Sequence, residues 1–255
     1  MSPKWKNQWI VFPSPNPAAK LRLFCFHHAG GSGQFFHAWP ARLGAQVEVA
    51  AIQLPGRGPR LTEPYARDLL PLSRILAREL SSYLDRPFAF FGHSLGALLC
   101  FETARSLRRE NRPQPSHLFL SAAEAPHRRE RDQAISALPR DALVDRLREF
   151  DGAPDEALRN EELLDLMLPA IRADFELCET YEFQSERPLD CSMTVYGGLE
   201  DGGVDSERLA AWSEMTQGEC AVRMFPGGHF YINSAQASFL RALSTDMVGL
   251  HEQAS

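Results

Sequence analysis

An α/β fold with a mostly parallel sheet covered on both faces is predicted by two observations. Short apolar runs rich in β-branched and aromatic residues recur along the chain, and segments of helical periodicity lie between most of them. The runs cover residues 21–26, 47–54, 88–91, 117–122, 193–196 and 221–225. They are continuous rather than alternating, as strands buried on both faces are. Helical spacing appears over residues 66–84, 97–107, 206–212 and 234–248. With 255 residues, 44% hydrophobic and 24% charged, the chain has the size and make-up of a single large globular domain.

The rhythm breaks once. About seventy residues separate the run at 117–122 from that at 193–196, more than a crossover needs. The interval, approximately 125–185, reads as an insertion, and Leu164, Met167, Leu168, Ile171, Phe175 and Cys178 repeat in it at helical spacing. Such a stripe suits a helical lid over a site, and it equally suits an extra pair of packing helices. Location decides between them.

The formal net charge of −6 gives no broad basic footprint, so nucleic acid is not an expected partner. The first seventeen residues mix Trp, Lys, Asn and Pro without an uninterrupted apolar stretch. They read as neither signal peptide nor membrane anchor, and a cytoplasmic location is expected. Cys25, Cys100, Cys178, Cys191 and Cys220 are odd in number and form no CxxC pair. Buried free thiols are expected, with no metal site.

The strongest chemical signal follows the run at 88–91. Gly92-His93-Ser94-Leu95-Gly96 is a G-x-S-x-G pattern, and the helical segment 97–107 comes directly after it. A strand turning sharply into a helix presents the serine hydroxyl above the sheet edge, and the flanking glycines let the two elements approach. That context makes Ser94 a candidate nucleophile and the Leu95 amide a candidate oxyanion donor. A second donor in such sites comes from a loop after an early strand. His27-His28-Ala29-Gly30-Gly31-Ser32-Gly33 follows the first core run, and the Ala29 amide is assigned that part. The loop lacks the Lys-Ser/Thr ending of a P-loop and the G-x-G-x-x-G spacing of a dinucleotide site. His27 and His28 are read as shaping it.

The base should come last in chain order. His229 stands in Phe225-Pro-Gly-Gly-His229-Phe-Tyr, after the last run and before the terminal helical segment, whereas His251 lies near the chain end. The loop after 193–196 offers Glu200, Asp201 and Asp205. Asp201 is chosen as the triad acid, Asp205 as a helix cap, and Glu124 is the alternative acid. The predicted fold is therefore an α/β-hydrolase with Ser94, Asp201 and His229 as a triad.

Taken together, Phe26-His-His-Ala-Gly-Gly-Ser32, Leu54-Pro-Gly-Arg-Gly-Pro-Arg60, Phe91-Gly-His-Ser-Leu-Gly96, Tyr196-Gly-Gly-Leu-Glu-Asp201, Ala211-Trp212 and Phe225-Pro-Gly-Gly-His-Phe230 resemble the type II thioesterases that accompany nonribosomal peptide and polyketide synthases. They also resemble the medium-chain fatty-acyl thioesterases of the same family. The resemblance spans nearly the whole chain and implies the same triad, the same two oxyanion amides and a mobile lid. It departs at position 27, where proline is frequent in the family, and at the additional acid Glu200.

The activity so implied is hydrolysis of stalled acyl groups from the phosphopantetheine arm of acyl or peptidyl carrier domains, without metal or redox cofactor. Carrier domains are generally acidic on the docking face, so Arg57, Arg60, Arg128, Arg129 and Arg131 are candidates to receive one, with plain solvation the competing role. A general esterase or a product-releasing thioesterase could use the same triad. A silent hydrolase-like binding module would show an incomplete one. Nothing resembles a heptad seam, and a monomer is expected.

Overall fold

The computed structural model describes residues 8–129, 134–150 and 160–250. Within them one seven-stranded sheet runs in the order β1-β3-β2-β4-β5-β6-β7. The strands are β1 (Ile10–Val11), β2 (Leu21–Phe26), β3 (Val47–Ile52), β4 (Phe88–His93), β5 (His117–Ser121), β6 (Ser192–Gly198) and β7 (Cys220–Phe225). All pairs are parallel except β1 with β3. That antiparallel edge leaves no mark in the sequence, since two residues carry no period. The six predicted strands all form, each within two residues of its expected start and end.

Successive side chains of each strand feed opposite faces. Phe24, Phe26, Phe88, Phe90, Leu118 and Leu120 join one core; Leu21, Leu23, Cys25, Ala89, Phe91 and Phe119 join the other. Helices α2 (Leu69–Leu80) and α3 (Leu95–Arg109) cover the first. Short α1 (Pro40–Leu43) contributes Leu43 to the second, and the C-terminal helix described below contributes Phe239, Leu240, Leu243 and Met247. The expected helix at 66–84 is shorter because Asp68 caps it, accepting from Leu70 N at 3.1 Å, and its end tightens into a 3₁₀ turn over Ser81–Tyr83.

Among the described residues, two α-helices lie between β5 and β6, α4 (Arg140–Glu149) and α5 (Glu161–Glu179). Leu143, Val144, Leu147, Leu164, Leu168 and Ile171 form a separate apolar cluster between them, and Leu177 ties the end of α5 to the main core. After β6, α6 (Ser206–Ala210) is capped by Asp205, which accepts from Arg208 N at 2.8 Å, as the sequence suggests. Residues 211–215 continue as a 3₁₀ turn, so the helix expected over 206–212 is split. After β7 come α7 (Tyr231–Ser234) and α8 (Gln236–Val248).

All five cysteines are free; Cys25 and Cys100 are buried, whereas Cys178, Cys191 and Cys220 are half-buried rather than fully enclosed. No described helix is long and apolar enough to cross a membrane.

Candidate active site

The chain leaves β2 to form β3 on one side and then crosses back to form β4 on the other. Such a switch point opens a crevice at the carboxyl ends of the strands. It brings the loop after β2 beside the turn after β4, with Phe26 in register with Gly92. The loops after β6 and β7 meet likewise, with Gly198 opposite Phe225. Four loops far apart in sequence thus share one sheet edge.

Ser94 sits between β4 and α3 at φ +56°, a left-handed conformation that costs on the order of 1–3 kcal/mol for a non-glycine residue. The surrounding contacts enforce it. A Cβ on Gly92 would fall 2.1 Å from the Gly96 carbonyl oxygen, and one on Gly96 would fall 2.1 Å from the Phe26 carbonyl oxygen. Both obstacles are backbone, so these two positions admit only glycine. Leu95 N opens α3, where the amide has no acceptor within the helix.

His229 Nδ1 donates to Asp201 Oδ2 at 2.8 Å. Because a carboxylate only accepts, the proton sits on Nδ1, and in the neutral imidazole this tautomer leaves Nε2 with its lone pair. Burial works to raise the Asp201 pKa, but the bond and charge of His229 and the amides of Gly203 and Val204 outweigh it and hold the carboxyl below its ordinary value. The acid and base loops are pressed together: a Cβ on Gly198 would lie 2.2 Å from the Gly228 carbonyl. The alternative acid, Glu124, pairs instead with Arg208 at 3.2 Å.

Ser94, Leu95, Ala29, Gly30, His28 and His229 line one cavity of about 340 Å³. Its remaining wall is mostly apolar and comes largely from the β5–β6 interval: Ile135, Leu147, Phe150, Met167, Ile171, Phe175 and Cys178. Four of the six residues of the predicted stripe, those at 167, 171, 175 and 178, therefore line the same cavity as the serine. Glu124, Arg129, Arg146 and Glu179 are its charged lining.

Around the cavity the structure adds His93, Ser121 and Tyr231, which carry no assigned role in the sequence. His28, His93 and His229 are neighbours, with ring centroids 6.0 Å and 5.4 Å apart along the series. His93 Nδ1 lies 2.8 Å from Ser121 Oγ, which is 2.5 Å from the Tyr231 hydroxyl, so a hydrogen-bonded chain underlies the turn that carries Ser94. Burial, then the nearby His229 and His28, keep the His93 pKa far below normal and its ring neutral. His27 Nδ1 donates to the His28 carbonyl at 2.8 Å, which gives His27 the loop-shaping place expected of it. No periodicity or motif marks these partners.

Two of the five candidate docking arginines are corrected by their burial. Arg57 is 7% exposed and makes a bidentate pair with Asp174. Arg60 is 4% exposed, stacks 3.8 Å from the centre of the Trp9 ring and pairs with Glu63. Neither guanidinium is available to a docking protein. Arg128 pairs with Glu214 at the surface, Arg129 faces the cavity, and Arg131 lies outside the described residues, as does His251.

A parallel sheet with a strained serine elbow, a late His–Asp pair and an apolar cavity over the serine defines a hydrolase of the α/β type. The family model for the thioesterase domain matches residues 21–247, and the chain belongs to that family. It is a thioester hydrolase. The thioesterase RedJ from the prodiginine pathway of Streptomyces coelicolor superposes with a TM-score of 0.87 at 39% identity, over 92% of this chain and 93% of that one. The type II thioesterase BorB from the borrelidin cluster gives 0.87 at 35%, over 94% and 97%. Gramicidin S biosynthesis protein GrsT of Aneurinibacillus migulanus is 40% identical, over 89% of this chain and 88% of its own. A further relative, of 39% identity over 94% and 93%, is called linear gramicidin dehydrogenase LgrE of Brevibacillus parabrevis. This chain lacks the dinucleotide-binding glycine spacing after β2 that the word dehydrogenase would call for.

Proposed function

We propose that the protein removes stalled or aberrant acyl groups from the phosphopantetheine arm of carrier domains in a nonribosomal peptide or polyketide synthase. The observation that carries this is the shared cavity: Ser94 and His229 open onto one apolar chamber, and Asp201 orients the imidazole from behind. Names of the relatives, drawn from gramicidin, prodiginine and borrelidin biosynthesis, agree with it.

In this reading His229 Nε2 takes the Ser94 proton as Oγ attacks the thioester carbonyl. The negative charge that develops on oxygen is met by the amides of Ala29 and Leu95. The C–S bond then breaks, the sulfur takes the proton from His229, and acyl-Ser94 remains. A thiol, with a pKa of about 8.5, is a far better leaving group than an alcohol. Water deprotonated by His229 attacks the acyl-serine, and the free acid departs with Ser94 reprotonated. The mechanism requires no metal or redox cofactor.

Helices α4 and α5 act as the lid, admitting the arm while the carrier stays outside. The enzyme works as a cytoplasmic monomer. The test is acyl release from acetyl- or propionyl-phosphopantetheinyl carrier protein, compared with the matching acyl-CoA and a simple ester. Faster turnover of the carrier, abolished in Ser94→Ala, is expected. Equal or faster turnover of the ester would refute the editing reading, and activity surviving in Ser94→Ala would refute the mechanism.

A further inference from the structure

We propose that Asp174 is a positioning residue that makes the oxyanion hole depend on the seating of α5 against the loop after β2. The inference rests on the reading above, in which the Ala29 amide stabilises the oxyanion.

Asp174 lies on α5 with its side chain 1% exposed. Its Oδ2 accepts from Gly30 N at 2.7 Å and from Arg57 Nη1, and its Oδ1 accepts from Arg57 Nη2 at 2.8 Å. Arg57 also donates to the Gly31 carbonyl at 3.2 Å and, through Nε, to the Pro55 carbonyl at 3.3 Å. One carboxylate therefore joins three segments: helix α5, the loop after β2 and the loop after β3. One turn earlier on α5, Ile171 completes the contact. Gly30 has φ +74°, and a Cβ there would stand 2.5 Å from Ile171 Cγ1, so the helix rests directly on the loop backbone.

The two peptide groups around Ala29 are pinned from opposite sides. The His28 carbonyl accepts from His27 Nδ1 at 2.8 Å and from Gly31 N at 3.0 Å. In a trans peptide the N–H points opposite to the C=O, so these bonds aim the Ala29 amide. Asp174 fixes the following peptide through Gly30 N. His27 belongs to the β2 edge and stays with the sheet. Asp174 belongs to α5, and if that helix lifts, Gly30 N loses its acceptor while the Arg57 and Asp174 charges lose each other. A buried pair separated in this way is strongly unfavourable, so the peptide that follows Ala29, and with it the full clamp on that amide, is held only with α5 in place. Hydrolysis would then be coupled to closure over the bound acyl group.

The competing possibility is that the pair merely supports the fold. Three variants separate the two: Asp174→Ala, Asp174→Asn, and the double variant Arg57→Met with Asp174→Leu, which replaces the buried pair by apolar groups and should recover stability. The readouts are melting temperature, KM, kcat per site titrated with a fluorophosphonate, and affinity for an alkyl boronate whose tetrahedral adduct places an oxygen in the oxyanion hole. In Asp174→Ala, kcat should fall roughly 10- to 100-fold with KM within about threefold, short of the ~10²–10³ lost when a donor is removed outright. Boronate affinity should fall in parallel. Asp174→Asn should retain more, since its amide oxygen can still accept from Gly30 N. The double variant should regain its melting temperature but not its kcat. Recovery of wild-type kcat in the double variant, or a rise in KM in place of a fall in kcat, would overturn the proposal and leave the triad reading intact. Activity in Ser94→Ala would instead overturn that reading.

Discussion

Lowering the pH from 8 to 5 should cost this protein several kcal/mol of stability through its buried histidines, before most carboxylates titrate. Burial is the main cause that lowers the pKa of both His27 and His28 to about 3, helped by Arg57 beside the first and by His27 and His229 beside the second. Both rings are nearly sealed, at 1% and 8% exposure. In the unfolded chain each titrates near 6.5. Between pH 6.5 and about 3 the unfolded state therefore binds protons that the folded state does not, and stability falls as pH falls through that window. At pH 5 the loss is about 2 kcal/mol per ring, and any folded pKa below about 4 gives the same figure. The two rings together lose about 4 kcal/mol from a domain stability of roughly 5–15 kcal/mol. His117, lowered to about 4 chiefly by burial, acts in the same direction. Urea unfolding followed by circular dichroism at pH 8, 7, 6 and 5 measures it. In His28→Leu the difference between pH 8 and 5 should shrink by about 2 kcal/mol, because one titration is gone. The His28 Nδ1 has no hydrogen-bond partner among the described residues, so the substitution removes no bond there. A wild-type stability at pH 5 within 1 kcal/mol of that at pH 8 would refute the reasoning.

Asp201→Asn should lower kcat on an acyl thioester by about 10⁴-fold, as loss of the orienting carboxylate does in other triads, while Glu124→Gln should stay within about tenfold; steady-state kinetics showing the reverse order would move the acid to Glu124. Gly92→Ala sets a Cβ 2.1 Å from the Gly96 carbonyl oxygen and should destabilise by about 3 kcal/mol or more, read as a lower melting temperature. Met167→Trp narrows the apolar wall of the cavity and should depress kcat/KM for octanoyl thioesters at least tenfold while acetyl turnover changes less than twofold. Equal losses for both chain lengths would place Met167 outside the acyl path.

Much of the site was legible because backbone geometry wrote it locally. Gly92 and Gly96 flank Ser94 since two backbone segments pass within contact there, and Gly30 appears where φ is positive and α5 touches the loop. The choice among Glu200, Asp201 and Asp205 could be made from loop position and capping chemistry, and the 2.8 Å bond to His229 falls on Asp201. Arg57 and Arg60 escape the sequence for an equally physical reason. Charge is visible in sequence, but burial is not, and Arg57 is paired with a residue 117 positions away.

The amino-acid sequence by itself determined the alternation of strands and helices, the glycine-flanked turn at Ser94, the chain order of the proposed nucleophile, acid and base, and the long interval between β5 and β6, because each follows from short-range periodicity, turn chemistry or chain order. Only the tertiary structure decided which loops share the sheet edge, that four residues of the interval's apolar stripe line the cavity at Ser94, and that Asp174 reaches both Arg57 and the loop after β2. Those are contacts between residues remote in the chain. They depend on how helices settle on a twisted sheet, where packing and burial are settled by the whole molecule at once and leave no local period to read.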